Sequence, residues 1–202
     1  EVARRFRGVK YLGADATEHQ FKNTTNRAGI LHLAMHALLN DSEPLYSQLV
    51  FTSGGDSMED GRLNAYEIYN TRLNAQLAVL SACNTGAGKL QRGEGIMSLS
   101  RAFKYAGCPN IVMSHWLADD ASTKELMTGF FGELKKGKGK SEALRLAQQT
   151  YLENADAAKT HPYFWANFVL IGDNEPVKAG LPIWIWIIGI TVLFILLYIL
   201  FK

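Results

Sequence analysis

The sequence predicts an α/β domain of three layers, with helices on both faces of a mainly parallel sheet, followed by one C-terminal transmembrane helix. Two observations support this fold class. Five short apolar runs alternate with amphipathic segments, which is the pattern of strand–helix units built on a parallel sheet. Residues 181–201 then form an uncharged apolar run, and about 20 such residues span a bilayer. A chain of 202 residues with 48% hydrophobic content can hold one such domain and one additional element.

The predicted strands are mostly apolar on both faces, as expected where helices cover each side of a sheet. They cover residues 29–35, 47–53, 76–82, 110–116 and 167–172. The helical patterns cover residues 17–27, 64–70, 95–107, 121–137 and 141–155. Gly107 and Gly137 stand where helix-ending glycines are expected, and Ser141 is the predicted N-cap of the last helix.

We expect the domain over residues 1–173, a linker over 174–180 and the transmembrane helix over 181–201. Two tryptophans lie near one end of the apolar run and Tyr198 near the other, where interfacial aromatics of a membrane span are found. The alternative is a buried helix of the domain. The chain has no initiator methionine and no signal peptide, so we expect a piece of a longer single-pass membrane protein with this domain in the cytoplasm.

Charge and cysteine content exclude several protein classes. The net charge is +2, from 21 basic and 19 acidic residues. The one basic cluster, KKGKGK at residues 135–140, is predicted to be a solvated loop, so we expect no nucleic-acid partner. Two cysteines without a C-x-x-C motif predict no disulfide framework and favour a reducing compartment.

Chemistry in parallel sheets gathers beyond the carboxyl ends of the strands, and a histidine lies at the first of these ends. Alternation places His32 and His36 on one face of one strand. His32 falls inside the run and is predicted to be structural, whereas His36 at its end is a candidate general base. The H-x-x-x-H spacing resembles a zinc site, but Leu33 replaces the glutamate of the helical zinc motif and no third ligand stands out. We therefore expect no metal.

Cys83 lies at the second strand end, where the apolar run LAVLSA meets the polar turn NTGAG. Three interpretations stay open: a buried thiol, a redox thiol and a nucleophile that a nearby histidine deprotonates. The turn is similar to a phosphate loop, but Leu90 follows Lys89 where that loop needs Ser or Thr.

Asp119 and Asp120 follow the third strand end and begin a helix. One of them is expected to cap that helix, which leaves the other free near the same edge of the sheet. His115 lies close to this end and is a rival of His36. A cysteine and a histidine at neighbouring strand ends, with an acidic loop beyond, are typical of a peptidase.

Several motifs in one order resemble a CHAT domain, a caspase-like cysteine peptidase domain of the superfamily that holds caspases, separases and gingipains. They are ILHLAMHA, DGRLNAYEI, LAVLSACNTGAGKLQRGEGIMSLSRAFKYAG, IVMSHWLADD and HPYFWANFVLIG. The resemblance implies a caspase-like sandwich, His36 and Cys83 as catalytic residues, and an oxyanion hole formed by the backbone N–H groups of Ala37 and Cys83. It also implies that no cofactor is needed, that the substrate is a protein or peptide, and that a regulatory region with TPR-like repeats lies upstream.

Three positions depart from the family pattern. Met35 replaces the usual threonine, Ala37 the usual glycine and His115 an apolar residue. If position 37 required a positive φ, alanine would add strain of about 1 kcal/mol. The similar loop of separases implies that Asp120, with Asp119 next, binds an Arg side chain of the substrate. The alternatives are a signalling or scaffold module with a weak active site and a redox-sensing thiol.

Overall fold

The computed structural model describes residues 2–6, 8–54, 59–81, 83–84, 94–116 and 119–178. The predicted transmembrane helix over 181–201 and the end of the predicted linker lie outside these residues. Within the described ranges, no helix has both the length and the apolar character that a bilayer crossing requires.

Six α-helices and eight strands are described in this part of the chain. The helices are α1 Val2–Arg5, α2 Glu18–Thr24, α3 Ala65–Tyr69, α4 Glu94–Tyr105, α5 Asp120–Lys135 and α6 Lys140–Asn154. The strands are β1 Ile30–Leu33, β2 His36–Leu38, β3 Gln48–Val50, β4 Arg62–Asn64, β5 Leu77–Leu80, β6 Cys83–Asn84, β7 Ile111–Ser114 and β8 Phe168–Ile171.

The larger sheet has the strand order β1-β5-β7-β8. β5 is parallel to both β1 and β7, whereas β8 closes the sheet antiparallel to β7. All four residues of β5 and of β7 are buried, as expected for strands that are covered on both faces. The prediction of a mainly parallel sheet is confirmed for this sheet.

Alternating residues of β5 pack into two separate hydrophobic clusters. Leu77 and Val79 join the cluster formed with α5 and α6, whereas Ala78 and Leu80 join the cluster that holds side chains of α2, α3 and α4. Because successive side chains of a strand point to opposite faces, the two clusters lie on opposite sides of the sheet. The described residues therefore form the predicted helix–sheet–helix arrangement.

A second sheet, with the order β4-β3-β2-β6, was not predicted. Residues 29–35 and 76–82 were each predicted as one strand. In the structure, each of these segments continues from the larger sheet into the second sheet. β1 pairs with β5, whereas β2 pairs with β3 and β6. His32 and His36 therefore lie in different strands of different sheets, and the prediction that they share a face of one strand is wrong. β4 was also missed because its three residues are fewer than the four to eight over which alternation indicates a strand.

Most helix ends follow the predicted signals. The Thr17 side chain accepts a hydrogen bond from the Gln20 backbone N–H at 3.2 Å at the start of α2. Gly107 and Gly137 have φ values of 112° and 83° beyond α4 and α5, which favour glycine. Ser141 is not the N-cap of α6, since Gly139 occupies that position.

The two helix-ending glycines provide a matched test of the packing. A Cβ at Gly107 would lie 2.5 Å from the Leu73 carbonyl oxygen, whereas one at Gly137 would meet nothing within 4 Å. We expect Gly137→Ala to lower the free energy of unfolding by about 1 kcal/mol, from backbone strain alone. Gly107→Ala should cost about 3 kcal/mol or more because it adds a steric clash. Urea unfolding of both variants measures the difference, and equal losses would contradict the close approach at Gly107.

Candidate active site

The site begins where two neighbouring segments of the chain pass from the larger sheet into the second sheet. The first segment leaves β1 at Leu33 and enters β2 at His36. The second segment leaves β5 at Leu80 and enters β6 at Cys83. β2 and β6 are parallel, and His36 is the register partner of Cys83. Neighbouring strands lie about 4.8 Å apart, so the backbones at the two positions are adjacent.

A hydrogen-bonded link between β1 and β5 lies immediately before this crossing. The Ser81 N–H donates to the Leu33 carbonyl at 3.1 Å. The Ser81 hydroxyl and Nε2 of His32 are also hydrogen-bonded, at 3.1 Å. The His32 ring packs on Phe131 of α5, with ring centroids 5.2 Å apart. These contacts hold the two segments together just before His36 and Cys83.

The environment of His32 keeps its ring neutral. Burial of the imidazole lowers the pKa of His32 to about 4, because desolvation disfavours the charged form. The His32 ring therefore stays uncharged near neutral pH, and its contacts with Ser81 and Phe131 are structural, as predicted.

His36 differs from His32 in its exposure. Its side chain is exposed, at the first position of β2, so solvent and ligands can reach the imidazole. The next residue, Ala37, is fully buried in the middle of the same strand and pairs with Leu49 and Asn84. An L-residue adopts a strand backbone without strain, so the strain considered for alanine at position 37 does not arise.

Comparison with known families agrees with this geometry. The family model that matches the chain is the CHAT domain, and the match covers residues 1–173. The chain belongs to the CHAT domain family. This family is part of the caspase-like cysteine peptidase superfamily, so the fold predicted from the motifs is the fold of the family.

Two curated relatives also resemble this CHAT domain. Tetratricopeptide repeat protein 28 of Mus musculus is 31% identical over 120 residues, which cover 59% of this chain and 5% of the relative. Tetratricopeptide repeat protein 28 of Homo sapiens is 27% identical over 202 residues, which cover 85% of this chain and 8% of the relative. The chain thus spans less than a tenth of the length of either relative.

The two aspartates at the start of α5 have different surroundings. Oδ2 of Asp119 accepts hydrogen bonds from the Ser122 backbone N–H at 2.9 Å and from the Ser122 hydroxyl at 2.8 Å. These bonds lower the pKa of Asp119 because they favour the ionised form. Asp119 is therefore the helix cap. Asp120 is exposed in the first turn of the helix, which leaves its carboxylate accessible.

His115 follows β7, and β7 pairs with β5 and β8. The His115 N–H donates to the Asn167 carbonyl at 2.9 Å, and its side chain is exposed. His36, not His115, is the residue whose backbone is paired with that of Cys83. Between the two histidines proposed from the sequence, the register of the second sheet favours His36.

The second cysteine of this CHAT domain lies at the opposite edge of the sheet. Cys108 is fully buried just before β7, and its thiol donates to the Asn110 carbonyl at 3.3 Å. Burial raises the pKa of the Cys108 thiol to about 11. Since the thiolate is the reactive form, Cys108 is a poor nucleophile.

Ser81 is the part of the site that sequence reasoning missed. The sequence feature that could have indicated it is a polar residue directly after the apolar residues of β5. Ser81 is only 7% exposed. Among the residues that the structure describes, no group of three or more His, Cys, Asp or Glu side chains is arranged to hold a metal ion.

The low pKa of His32 predicts a pH dependence of stability. In the unfolded chain the imidazole takes up a proton below pH 6.5, whereas in the folded chain it does so only near pH 4. The free energy of unfolding should therefore fall as the pH drops from 6.5 to 4, by up to about 3 kcal/mol from this group, and not further below pH 4. His32→Gln should remove that part of the slope in urea unfolding at several pH values.

His115→Gln is the matched control for this measurement, because it removes an exposed imidazole. We expect it to keep the pH dependence of the unsubstituted chain. An unchanged slope in His32→Gln would contradict the assignment of a buried neutral imidazole to position 32.

Proposed function

We propose that this CHAT domain is a cysteine endopeptidase that hydrolyses peptide bonds with His36 and Cys83. The observation that carries the proposal is the register of β2 and β6, which makes the two residues cross-strand partners. Neighbouring strands lie about 4.8 Å apart, so the backbones of these two partners are adjacent. The exposure of His36 and the family's place in a peptidase superfamily support the same activity.

In the proposed mechanism, the Cys83 thiolate attacks the carbonyl carbon of the substrate and forms a tetrahedral oxyanion. The oxyanion collapses to a thioester, the C–N bond breaks, and protonated His36 gives its proton to the leaving amine. Water then attacks the thioester while His36 accepts a proton from it. The acid product leaves and the Cys83 thiolate is restored. The residues of the chain supply every group in this scheme, without a cofactor.

The oxyanion contacts are proposed to come from the backbone N–H groups of Cys83 and Ala37, by resemblance to the family. One such donor stabilises a transition state by about 3 kcal/mol. A strand backbone is rigid compared with a loop, and rigid donors need no reorganisation during the reaction. Ala37 directly follows His36 in β2, which is the position at which the family places this donor.

A second candidate function is a binding module that acts through partner proteins. The observation that favours it is the similarity of the chain to two tetratricopeptide repeat proteins. We propose that a region with such repeats, upstream in the whole protein, brings partners or regulates the peptidase. Labelling of Cys83 by a peptide-based electrophile distinguishes the two functions, since only a competent dyad would react selectively at this thiol.

The dyad predicts a specific pattern of variants. Cys83→Ala and His36→Ala should each lower kcat for a cleaved peptide at least about 1000-fold. Cys108→Ala is the control and should keep most of the activity, because the Cys108 thiol is buried at the other edge of the sheet. Circular dichroism verifies the fold of each variant. An active Cys83→Ala together with an inactive Cys108→Ala would contradict the assignment.

We further propose that Asp120 binds a basic side chain of the substrate, next to the cleaved bond, with Asp119 as the less suitable candidate. Asp119 is engaged as the cap of α5, whereas Asp120 is exposed beyond the end of β7, the neighbour of β5. Opposite charges about 4 Å apart attract each other by about 4 kcal/mol at an effective dielectric constant of 20, before desolvation.

The two aspartates should respond differently to substitution. Asp120→Asn should abolish a preference for Arg or Lys over Leu in a fluorogenic peptide panel, with little effect on stability. Asp119→Ala should lower the free energy of unfolding by about 1 kcal/mol, because it removes the helix cap. Its effect should vanish at a pH low enough to protonate the carboxylate. Equal cleavage after Leu and Arg, unchanged by Asp120→Asn, would leave Asp120 without a role in specificity.

Finally, we propose that residues 181–201 anchor the protein in a membrane. The support is the uncharged apolar run itself, which matches the length of a membrane span. Deletion of these residues should move the chain from the membrane fraction to the soluble fraction without a change in the melting temperature of the domain. A fall of more than a few degrees would show that the run belongs to the core instead.

A further inference from the structure

The segment that follows β8, residues 172–178, packs along one edge of the larger sheet; we call it the C-terminal strap. β8 is antiparallel to β7, and Ile171 at its end pairs with Ile111 at the beginning of β7. The strap therefore starts at the amino edge of the parallel strands, whereas His36 and Cys83 follow the carboxyl ends of β1 and β5.

The first half of the strap is fastened by a buried lysine. Lys140 is 2% exposed, and its Nζ contacts Oδ1 of Asp173 at 2.7 Å and the Glu175 carbonyl at 2.5 Å. The hydrogen bond from Lys140 lowers the pKa of Asp173 to about 2, so the Asp173 carboxylate stays ionised near neutral pH. Lys140 belongs to the KKGKGK cluster that the sequence predicts as a solvated loop, and for this lysine the prediction is wrong because the strap covers it.

The second half of the strap is fastened by backbone and amide contacts. Oδ1 of Asn174 accepts from the Ser141 N–H at 2.8 Å at the start of α6, and Pro176 forms an antiparallel bridge with Gly139. A Cβ at Gly139 would collide with the Asn174 carbonyl, so this close approach requires glycine. The strap is therefore built into the domain surface.

The last described residue, Lys178, is tied to the residue before β5. The Lys178 N–H donates to Oε1 of Gln76 at 2.8 Å, and Nε2 of Gln76 donates to the Lys178 carbonyl at 3.0 Å. Three residue steps separate Lys178 from the apolar run that begins at residue 181, and three steps reach at most about 11 Å. The contacts of Lys178 with Gln76 therefore hold the described end of the strap at the amino edge of the sheet.

The length of helix α5 gives the approximate distance between the two edges of the larger sheet. It follows the carboxyl end of β7 and ends next to the loop that the strap contacts. Its 16 residues correspond to a length of about 24 Å. A residue at the start of α5 therefore lies about 24 Å from one at its end, along the direction from the site to the strap.

We propose that the strap turns the amino edge of the sheet toward the bilayer surface and directs the edge with His36 and Cys83 away from it. The inference rests on the proposed anchoring by residues 181–201. It restricts the substrates of the proposed peptidase to soluble chains and to segments that extend more than about 20 Å beyond the headgroups. Peptide bonds at the membrane surface itself lie outside its reach.

Energy transfer from the protein to the bilayer tests this orientation on the full chain. A Cys83→Ser background leaves the buried thiol of Cys108, and one new cysteine is labelled in each variant. Lys136→Cys places the donor near the strap, at a position that is 68% exposed, and Ala121→Cys places it on the exposed start of α5. In nanodiscs with acceptor headgroups, we expect efficient transfer from position 136 and weak transfer from position 121.

A flexible insertion provides the matched control. Twelve Gly and Ser residues after Lys178 add a reach of about 20 Å and leave the strap intact, so the difference between the two labels should shrink. An undiminished difference would contradict the role of the short connection to the strap. Equal transfer from the two labels without the insertion, or stronger transfer from position 121, would overturn the proposed orientation.

Vesicle flotation separates this inference from the anchoring on which it rests. The full chain should float with phosphatidylcholine vesicles, and a chain that stays at the bottom of the gradient would contradict the anchoring itself. Neither measurement depends on peptidase activity, so loss of the proposed catalytic function leaves this test unaffected.

Discussion

The parallel pairing of β1 with β5, which continues into the pairing of β2 with β6, is the constraint on which the site depends. The segments that form β1 and β5 each leave the larger sheet after a strand of four residues, and both then enter the second sheet. The hydrogen bonds of Ser81 to Leu33 and His32 hold them at the crossing. His36 and Cys83 are the first register partners of the pairing that follows the crossing.

The two segments cross out of a sheet that is closely packed. The larger sheet is packed on both faces, with α5 and α6 on one side and α2, α3 and α4 on the other. Close-packed interiors transmit strain and tolerate little displacement. His32 extends this packing to the crossing through its contact with Phe131, and its neutral ring avoids the cost of a buried charge.

The two edges of the larger sheet have different chemistry. The carboxyl edge presents an exposed imidazole and an exposed carboxylate, at His36 and Asp120. The amino edge is covered by the strap, in which Asp173 forms an ion pair with the buried Lys140 side chain and so gives this side chain a partner. The edge with the candidate site and the edge covered by the strap are thus separated by the length of the strands and of α5.

Local patterns in the sequence determined the strand–helix alternation, the parallel sheet and the helix ends at Gly107 and Gly137. These features depend on residues near each other in the chain, through apolar periodicity and backbone preference. The family motifs also pointed to His36 and Cys83. The apolar run over 181–201 was evident in the same way, from composition alone.

Only the tertiary structure decided the features that depend on distant partners. The split of residues 29–35 and 76–82 between two sheets follows from β3, which pairs with β2 and not with β1. Ser81 forms its side-chain hydrogen bond with His32, 49 residues away. Lys140 is buried by the strap, whose Asp173 lies 33 residues further along the chain. A local pattern carries no information about such pairs, because the same serine or lysine is satisfied equally well by water.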